Sequence, residues 1–265
     1  MDCFTCILLR TVIMHMGSLN MRIAILMTNT DESAFAHRYP KDGEKFTALI
    51  QMARPEWHCD VYAVKDGVFP ENIRCYDGAM ITGSPASTRS GAHWVAQLLD
   101  LIRQMHAMRL PLFGACFGHQ AIALALGGRV DNLPGGWVHG RTENHLVARP
   151  EWASDLPDVV SIYGSHVEYV CTLPKGAQPL MSRADHTTGF MIGDHIATSQ
   201  HHPEMTHAFI CALTEELRQK MGPEVYARAQ ESLAQEVDQP ALAEAIARFF
   251  ETASASRGRP ADPSP

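Results

Sequence analysis

The sequence has no basic cluster and no long apolar segment near its start. Its net charge is −7 over 265 residues, and its Lys and Arg residues are scattered, which argues against a nucleic-acid groove or an anionic membrane surface as a partner. The first apolar run, from Cys3 to Leu9, is too short for a secretory signal or a membrane span. The chain also lacks a phosphate loop of the form G-x-x-x-x-G-K-[ST], so chemistry that consumes ATP is expected on another chain.

A disulfide framework is absent as well. The seven cysteines are odd in number, and reduced, buried thiols are expected in four apolar segments, at Cys59, Cys75, Cys171 and Cys211. Reduced thiols favour the cytoplasm as the location. The fourteen histidines are dispersed without the ligand spacing of a metal site, so neither a metal ion nor another cofactor is expected.

One segment combines an apolar strand, a sharp turn and a helix around a cysteine. Leu110–Phe113 predicts the strand, Ala121–Leu126 predicts the helix, and Gly114–Gln120 contains the turn. Cys116 would then lie at the helix N-terminus, where backbone N–H groups and the helix dipole favour a thiolate. The pattern is that of a nucleophile elbow with sulfur in place of oxygen, although a buried structural cysteine fits this motif alone equally well.

A histidine and a carboxylate follow another predicted strand, His195–Ser199. They belong to the segment Gln200-His201-His202-Pro203-Glu204. A cysteine nucleophile needs an imidazole to take and return its proton, and the imidazole needs a carboxylate to fix its tautomer and orientation. His202 and Glu204 can supply both roles, which strengthens the interpretation of Cys116 as a nucleophile.

A loop of small residues follows the predicted buried strand Ala79–Ile81. The loop is Thr82-Gly83-Ser84-Pro85-Ala86-Ser87. Attack on an amide carbonyl places negative charge on its oxygen, and backbone N–H groups stabilise that charge best where no side chain blocks their approach. Gly83 and Ser84 suit this role, although the segment by itself is a common turn signal.

Together these segments resemble the class I (triad-type) glutamine amidotransferases. The segments that match in order and spacing are Ile81–Pro85, Gly114–Gln120 and Gln200–Glu204. The chain looks most like the free-standing proteins related to the glutaminase domain of GMP synthase and to the γ-glutamyl peptidases. Two further segments, Tyr163–Glu168 and Leu173–Ala177, resemble the family's Ser-His segment and the Leu-Pro turn that follows it.

The resemblance implies a role for each member of a catalytic triad. Cys116 would be the nucleophile, His202 the general base and then the general acid, and Glu204 the orienting carboxylate. His201 stands where the family often has an aromatic or apolar residue. It is not the expected base, because the position directly before Pro-Glu belongs to His202.

The resemblance also implies the contacts to the substrate. The N–H groups of Ser84 and Phe117 would form the oxyanion hole. The other residues expected to bind the substrate are Gly83, Gln120, Ser165 and His166. Many family members have glycine in place of Ser84, and a serine there narrows the backbone conformations that are open to the loop.

Strand and helix patterns alternate from Arg22 to the elbow helix. The alternation predicts an α/β fold with a doubly wound, mostly parallel sheet and flanking helices, and the family resemblance implies a flavodoxin-like three-layer sandwich. Short strands between Trp137 and Ser199 predict an antiparallel extension over the active face. Three helices are predicted after Glu204, near His207–Met221, Pro223–Glu236 and Pro240–Thr252.

One domain is predicted for residues 21–252. Residues 1–20 precede the first core strand, Arg22–Met27, and are expected to lie outside the fold as an N-terminal extension. Residues 253–265 are rich in Ser, Pro and Gly and are expected to be a disordered tail.

These inferences predict an enzyme that hydrolyses the amide bond of glutamine or another γ-glutamyl compound through a cysteine thioester. Two interpretations share this chemistry: a glutaminase that passes ammonia to a synthetase or acceptor subunit, and a stand-alone γ-glutamyl hydrolase or peptidase. A catalytically silent binding module is a third interpretation, which the intact Cys, His and Glu set disfavours. The sequence leaves the substrate open, and the candidates for lining its pocket are Arg89, Trp137, Glu168 and His186.

Overall fold

The fold is built on one large sheet. The computed structural model describes residues 20–184 and 186–257, and in this part of the chain nine strands form the large sheet and two form a small one. The strands are Arg22–Met27 (β1), His58–Ala63 (β2), Gly78–Ile81 (β3), Leu112–Ala115 (β4), Arg129–Asn132 (β5), Val138–Leu146 (β6), Val159–His166 (β7), Glu168–Thr172 (β8), Ala177–Arg183 (β9), His186–Ile192 (β10) and Ile196–Ser199 (β11).

Five parallel strands make up one half of the large sheet. Their order is β2-β1-β3-β4-β11, with β1 between β2 and β3. β3, β4 and β11 are buried along their whole length, because helices cover both faces of a parallel sheet. The predicted doubly wound, mostly parallel α/β sheet is therefore confirmed.

Four antiparallel strands continue the same sheet in the order β10-β9-β6-β7. The antiparallel strands predicted between Trp137 and Ser199 are therefore present, but these four extend the large sheet at its edge and do not form a layer over the active face. β10 pairs with β11 through a tight turn at Gly193, where the positive φ of 56° favours glycine. The pair β5–β8 alone forms a separate small sheet among the described residues.

Helices cover both faces of the sheet. They are Asp42–Ala53 (α1), His93–Ala107 (α2), Phe117–Ala125 (α3), His207–Glu216 (α4), Arg218–Ser232 (α5) and Gln239–Arg257 (α6). α1 and α6 share one apolar cluster with Ile23 and Ile25 of β1, whereas α2 and α3 share another with Ala24 and Leu26. Alternate residues of β1 thus point into opposite layers, which gives the three-layer arrangement.

Two helix boundaries near the C-terminus bear on the predicted helices and tail. α5 is broken at Gly222, where φ is 76°, in agreement with the predicted separation of helices before Pro223. The tail predicted from residue 253 is wrong at its beginning, because α6 continues to Arg257. Ala253 is only 1% exposed and packs in the cluster shared by α1 and α6, so burial extends the helix into a Ser- and Ala-rich segment.

Of the four cysteines that are expected to be buried, Cys75 is exposed, and Cys59, Cys171 and Cys211 are only partly buried. The five described cysteines are free, and Cys116 is the one among them that is buried. Cys75 is exposed, because the short helical turn Ile73–Cys75 buries Ile73 and leaves the end of the turn in solvent. The cytoplasmic location stays a prediction.

The predicted N-terminal extension, residues 1–20, lies outside the described residues except for Asn20, which is exposed. Residues 258–265 of the predicted tail also lie outside them. No helix in the described part of the chain is long and apolar enough to cross a membrane.

Candidate active site

Cys116 lies in a sharp turn between β4 and α3. It is the residue immediately before α3, and its φ of 48° and ψ of −102° are unusual for a residue that carries a side chain. The turn is possible because its flanks are glycines. A Cβ at Gly118 would be 2.5 Å from the carbonyl oxygen of Ile81, and one at Gly114 would be 2.7 Å from the backbone of Gly118. The predicted elbow is therefore present.

The carboxyl ends of three parallel strands bring the predicted triad together. β3 ends before Gly83 and β4 ends before Cys116, while β11 ends three residues before His202. The Cys116 N–H donates to the carbonyl oxygen of Ser199 at 2.8 Å, which aligns the ends of β4 and β11. Ligands bind at such carboxyl edges in open α/β sheets.

His202 is held from two sides. Its ring Nδ1–H donates to the Glu204 carboxylate at 2.8 Å, and its backbone N–H donates to the carbonyl oxygen of Tyr163 at the same distance. Both side chains are almost fully buried. The other ring nitrogen, Nε2, makes no hydrogen bond to a described residue, so it is available to exchange a proton with a neighbouring group.

The charges around His202 favour its protonated form. Burial alone would lower the pKa of the imidazole, but the adjacent Cys116 and the Glu204 carboxylate raise that pKa well above its ordinary value. An imidazolium between a sulfur atom and a carboxylate is the arrangement in which a cysteine nucleophile is activated.

The loop after β3 approaches the triad closely. A Cβ at Gly83 would lie 2.7 Å from the His202 ring and 3.6 Å from Cys116 Cβ, so only glycine fits this position without displacement. The Thr28 hydroxyl contacts the carbonyl oxygens of Thr82 and Gly83 at 2.9 and 3.0 Å. These buried hydrogen bonds fix the backbone that leads to Ser84 beside Cys116.

A cavity of about 820 Å³ opens at this edge of the sheet. We call it the catalytic cavity, because Cys116 and His202 lie in its wall. Five further residues predicted from the sequence also line it: Gly83, Ser84, Gln120, Ser165 and His166. Phe117 contributes in another way. Its ring stacks on Trp94 in the core, and its N–H is the first of α3, which has no acceptor within the helix.

The side chains predicted to bind the substrate are held by hydrogen bonds. The Gln120 amide and His166 Nδ1 both donate to the carbonyl oxygen of Glu168, at 3.0 and 2.9 Å. The Ser165 hydroxyl lies 3.0 Å from Nδ1 of His139. The structure thus brings β7, β8 and α3 together around the catalytic cavity.

Comparison with known proteins agrees with this geometry. The model of the family glutamine amidotransferase class-I matches residues 44–209, which include all three predicted triad residues. The chain belongs to this family. Gamma-glutamyl peptidase 3 of Arabidopsis thaliana is 28% identical to it over 192 residues, which are 69% of this chain and 76% of the relative. A glutamine-hydrolysing GMP synthase subunit of Methanosarcina acetivorans is 30% identical over 174 residues, covering 62% of this chain and 84% of the relative.

Solved structures of glutamine amidotransferases share the fold. A glutamine amidotransferase from Thermotoga maritima superposes with a TM-score of 0.69 at 18% identity, covering 88% of this chain and 99% of that one. Another, from Methylobacillus flagellatus, has a TM-score of 0.68 at 23% identity and covers 91% and 96% of the two chains. These likenesses establish the fold alone.

His201 occupies an unusual position for this glutamine amidotransferase. It is fully buried, its ring lies 5.3 Å from that of His166, and neither ring nitrogen has a hydrogen-bond partner among the described residues. Burial lowers the pKa of His201 well below its ordinary value, so the ring is neutral. A neutral buried ring without a carboxylate partner does not have the features of the catalytic base.

Two features of the site were not predicted. The Gln200 amide lies 3.9 Å from Cys116 Sγ, and its place in the segment Gln200–Glu204 was the available signal. The second feature is a polar cluster in which Arg89 and Ser87 donate to the Glu168 carboxylate. No sequence pattern indicates that Ser87 and Arg89 would contact Glu168, because these residues are far apart in the chain.

The residues suggested as pocket lining separate into two groups. Trp137 and Glu168 line the catalytic cavity, and Arg89 contacts Glu168. His186 instead lines a neighbouring cavity. The described residues include no group of three or more His, Cys, Asp or Glu side chains arranged to hold a metal ion.

Proposed function

We propose that this protein hydrolyses the amide bond of a γ-glutamyl compound, with Cys116 as the nucleophile. The observation that carries the proposal is the buried pair His202–Glu204, which leaves His202 Nε2 without a protein partner next to Cys116 in the elbow. The roles of the triad residues are inferred from the sequence. The position of Cys116 and His202 in the wall of one cavity supports these roles.

In the first half-reaction His202 takes the Cys116 thiol proton, and the sulfur attacks the γ-carbonyl carbon of the substrate. A tetrahedral intermediate forms with negative charge on the former carbonyl oxygen. His202 then gives its proton to the leaving nitrogen, the C–N bond breaks, and a γ-glutamyl thioester remains on Cys116.

The oxyanion of the intermediate lies where two backbone segments meet. The Phe117 N–H at the start of α3 is one proposed donor, and the Ser84 N–H is the other. The removal of one such donor costs other enzymes about 10²–10³ in kcat, so the placement of these N–H groups contributes substantially to the rate. The hydrogen bonds from Thr28 stabilise the loop that carries Ser84.

In the second half-reaction a water molecule replaces the leaving amine. His202 takes a proton from the water as it attacks the thioester carbonyl, and it returns that proton to the departing sulfur. Glutamate is released and the thiol is restored. The Glu204 carboxylate accepts from Nδ1–H in both half-reactions and keeps Nε2 directed at the reacting atoms.

The size of the catalytic cavity favours a leaving group larger than ammonia. Its volume of about 820 Å³ lies in the range of pockets that bind drug-sized ligands. Beyond the triad its wall includes Phe35, Met205 and Phe209, which can pack against an organic leaving group. We therefore prefer the stand-alone γ-glutamyl hydrolase to the ammonia-transferring subunit, in line with the name of the Arabidopsis relative.

One experiment distinguishes these two functions. The purified protein is incubated alone with glutamine and with a series of γ-glutamyl amides whose leaving groups increase in size, and glutamate release is measured. We expect a higher kcat/KM for the larger amides than for glutamine. Negligible activity alone that rises with a synthetase subunit would instead establish the ammonia-transferring function. The absence of glutamate release in every case would contradict the proposed reaction.

A further inference from the structure

A second cavity lies beside the catalytic one. Its volume is about 750 Å³, and it lies between the small β5–β8 sheet, the beginning of β6, the ends of β9 and β10, and α5. The residues that give it its chemistry are Trp137, Arg141, Tyr169, Arg183 and Arg228. Cys116, His202 and the other predicted substrate-binding residues do not line this second cavity.

The lining of the second cavity is basic, although the chain as a whole has a net charge of −7. Three arginines line it, and the described lining residues include no Asp or Glu. A concave basic surface on an acidic protein concentrates anions. The charge of the cavity therefore points to an anionic ligand.

The arginines of the second cavity differ in how they are engaged. The Arg141 side chain already donates hydrogen bonds within the protein, to Glu143, to the Ser161 hydroxyl and to the backbone oxygen of Glu236. Arg228 is exposed on α5 and makes no hydrogen bond or ion pair with a described residue. A guanidinium without a carboxylate partner is suited to bind a phosphate through two parallel hydrogen bonds.

Aromatic and apolar side chains form the remaining wall. Trp137 and Tyr169 lie in the lining, together with Val170 and Leu173. The indole Nε1 of Trp137 is buried and has no hydrogen-bond partner among the described residues. The volume exceeds what a simple phosphate ion needs, and the aromatic faces suit a planar organic group.

The two cavities share a wall. Trp137 lines both of them, and successive residues of β8 face different cavities, with Glu168 in the catalytic one and Tyr169 in the second. β8 therefore contributes to the walls of both cavities, with Glu168 on one side and Tyr169, Val170 and Cys171 on the other. A ligand in the second cavity would contact the strand that carries part of the catalytic wall.

We propose that the second cavity binds a phosphorylated small molecule with a planar ring, with its phosphate on Arg183 and Arg228 and its ring against Trp137 and Tyr169. The site is distinct from the one that holds the γ-glutamyl substrate and does not require the proposed hydrolysis. Because both cavities contact Trp137, occupancy of the second cavity is expected to change KM for the γ-glutamyl substrate.

The proposal is tested by titration calorimetry of the full chain at low ionic strength with AMP, inorganic phosphate and adenosine as probes. We expect AMP to bind more tightly than either phosphate or adenosine. The double variant Arg183→Ala/Arg228→Ala is expected to weaken AMP binding about tenfold or more, because each lost charge-assisted hydrogen bond removes a substantial part of the affinity. Arg103→Ala, which removes an exposed arginine of α2, is the matched control.

Three results would overturn the proposal. One is the absence of AMP binding at millimolar concentrations, and another is equal affinity for AMP and adenosine or for AMP and phosphate. The third is unchanged AMP binding in the double variant. Thermal melts of both variants establish that they are folded, and Cys116→Ala is expected to retain AMP binding, since the site does not include the nucleophile.

Discussion

At the scale of single residues, the proposed chemistry depends on a few side chains, and substitutions can test the role of each one. His202 contacts Glu204 through one ring nitrogen and has the other available for Cys116. His201, its neighbour in sequence, is fully buried, and its ring lies 5.3 Å from that of His166 in a tilted arrangement. Adjacent histidines thus have different surroundings, and substitution of each one distinguishes their functions.

We expect Cys116→Ala to abolish glutamate release, because no other group forms the thioester, and His202→Asn to come close to that loss. Glu204→Gln is expected to retain more activity. In another triad, the loss of the carboxylate lowers kcat by a factor that is roughly 10² smaller than the loss of the nucleophile or base does. The measurement is kcat/KM for a γ-glutamyl amide, with His201→Asn as the control. Activity of His202→Asn together with inactivity of His201→Asn would contradict the assignment of the base.

The cysteines provide a second test at this scale. With limiting iodoacetamide near neutral pH, we expect Cys116 to be alkylated first, because it lies at the N-terminus of α3 beside His202, in the setting that is typical of reactive cysteines. Cys59 is expected to react slowly, since burial raises the pKa of its thiol to about 11. Peptide mapping by mass spectrometry gives the order of labelling.

Exposed Cys75 is the internal control for this experiment. A γ-glutamyl ligand is expected to protect Cys116 and to leave the labelling of Cys75 unchanged. Faster alkylation of Cys75 or Cys59 than of Cys116 would show that the elbow does not activate the sulfur.

At the scale of elements, α6 joins the C-terminal part of the chain to α1. Arg54, directly after α1, forms ion pairs with Glu244 and Glu251 of α6. Phe250 of α6 is fully buried beneath β3, where a Cβ at Gly78 would collide with its ring at 2.5 Å. These contacts hold α6 against the sheet through its last turns.

We therefore expect Ala253→Asp to destabilise the protein by at least about 2 kcal/mol, because it places an unpaired carboxylate in the cluster shared by α1 and α6. Ala255→Asp, on the exposed side of the same helix, is the matched control and is expected to change stability by less than about 0.5 kcal/mol. Urea unfolding measures both. Equal stabilities of the two variants would indicate that α6 does not pack as described.

At the scale of the whole molecule, buried histidines couple stability to pH. Burial lowers the pKa of His119 and His166 to about 3 and that of His139 and His195 to about 4. These rings stay neutral in the folded protein but gain protons in the unfolded chain below pH 6.5. Because the unfolded chain binds these protons more strongly than the folded protein does, the free energy of unfolding decreases as the pH falls.

We expect the free energy of unfolding to decrease from pH 6.5 toward pH 4, with each such histidine contributing up to about 1.4 kcal/mol per pH unit. His202 acts in the opposite direction: its raised pKa gives stability that is present at low pH and is lost as the pH rises through its folded value. The pKa of buried His201 is also lowered, so five lowered values oppose one raised value and the net effect is acid destabilisation.

Urea unfolding at several pH values measures this effect. His119→Gln is expected to reduce the slope of stability against pH, whereas His93→Gln, on the exposed surface of α2, is expected to leave it unchanged. A stability that is constant between pH 7 and pH 5 would contradict the prediction.

The amino-acid sequence by itself determined the elbow, the order of the strands and helices, and the segment that carries His202 and Glu204. Such features depend on short-range causes: glycine at a turn with positive φ or close backbone approach, apolar periodicity, and the residue types that cysteine chemistry requires. Cys116 is far in sequence from His202 and Glu204, but it follows the parallel strand β4, and the other two follow the parallel strand β11. The rule that ligands bind at the carboxyl ends of such strands was enough to place them together.

Only the tertiary structure decided the extent of α6, the exposure of Cys75 and the in-plane position of the four antiparallel strands. It also determined the two cavities, because their walls combine residues from distant segments, such as Phe35 with Phe209 and Trp137 with Arg228. Burial and cavity shape are sums over many long-range contacts, whereas turns and strands are set by neighbours in the chain. The sequence was therefore sufficient to predict the chemistry of the proposed site. The size and shape of the cavities required the tertiary structure.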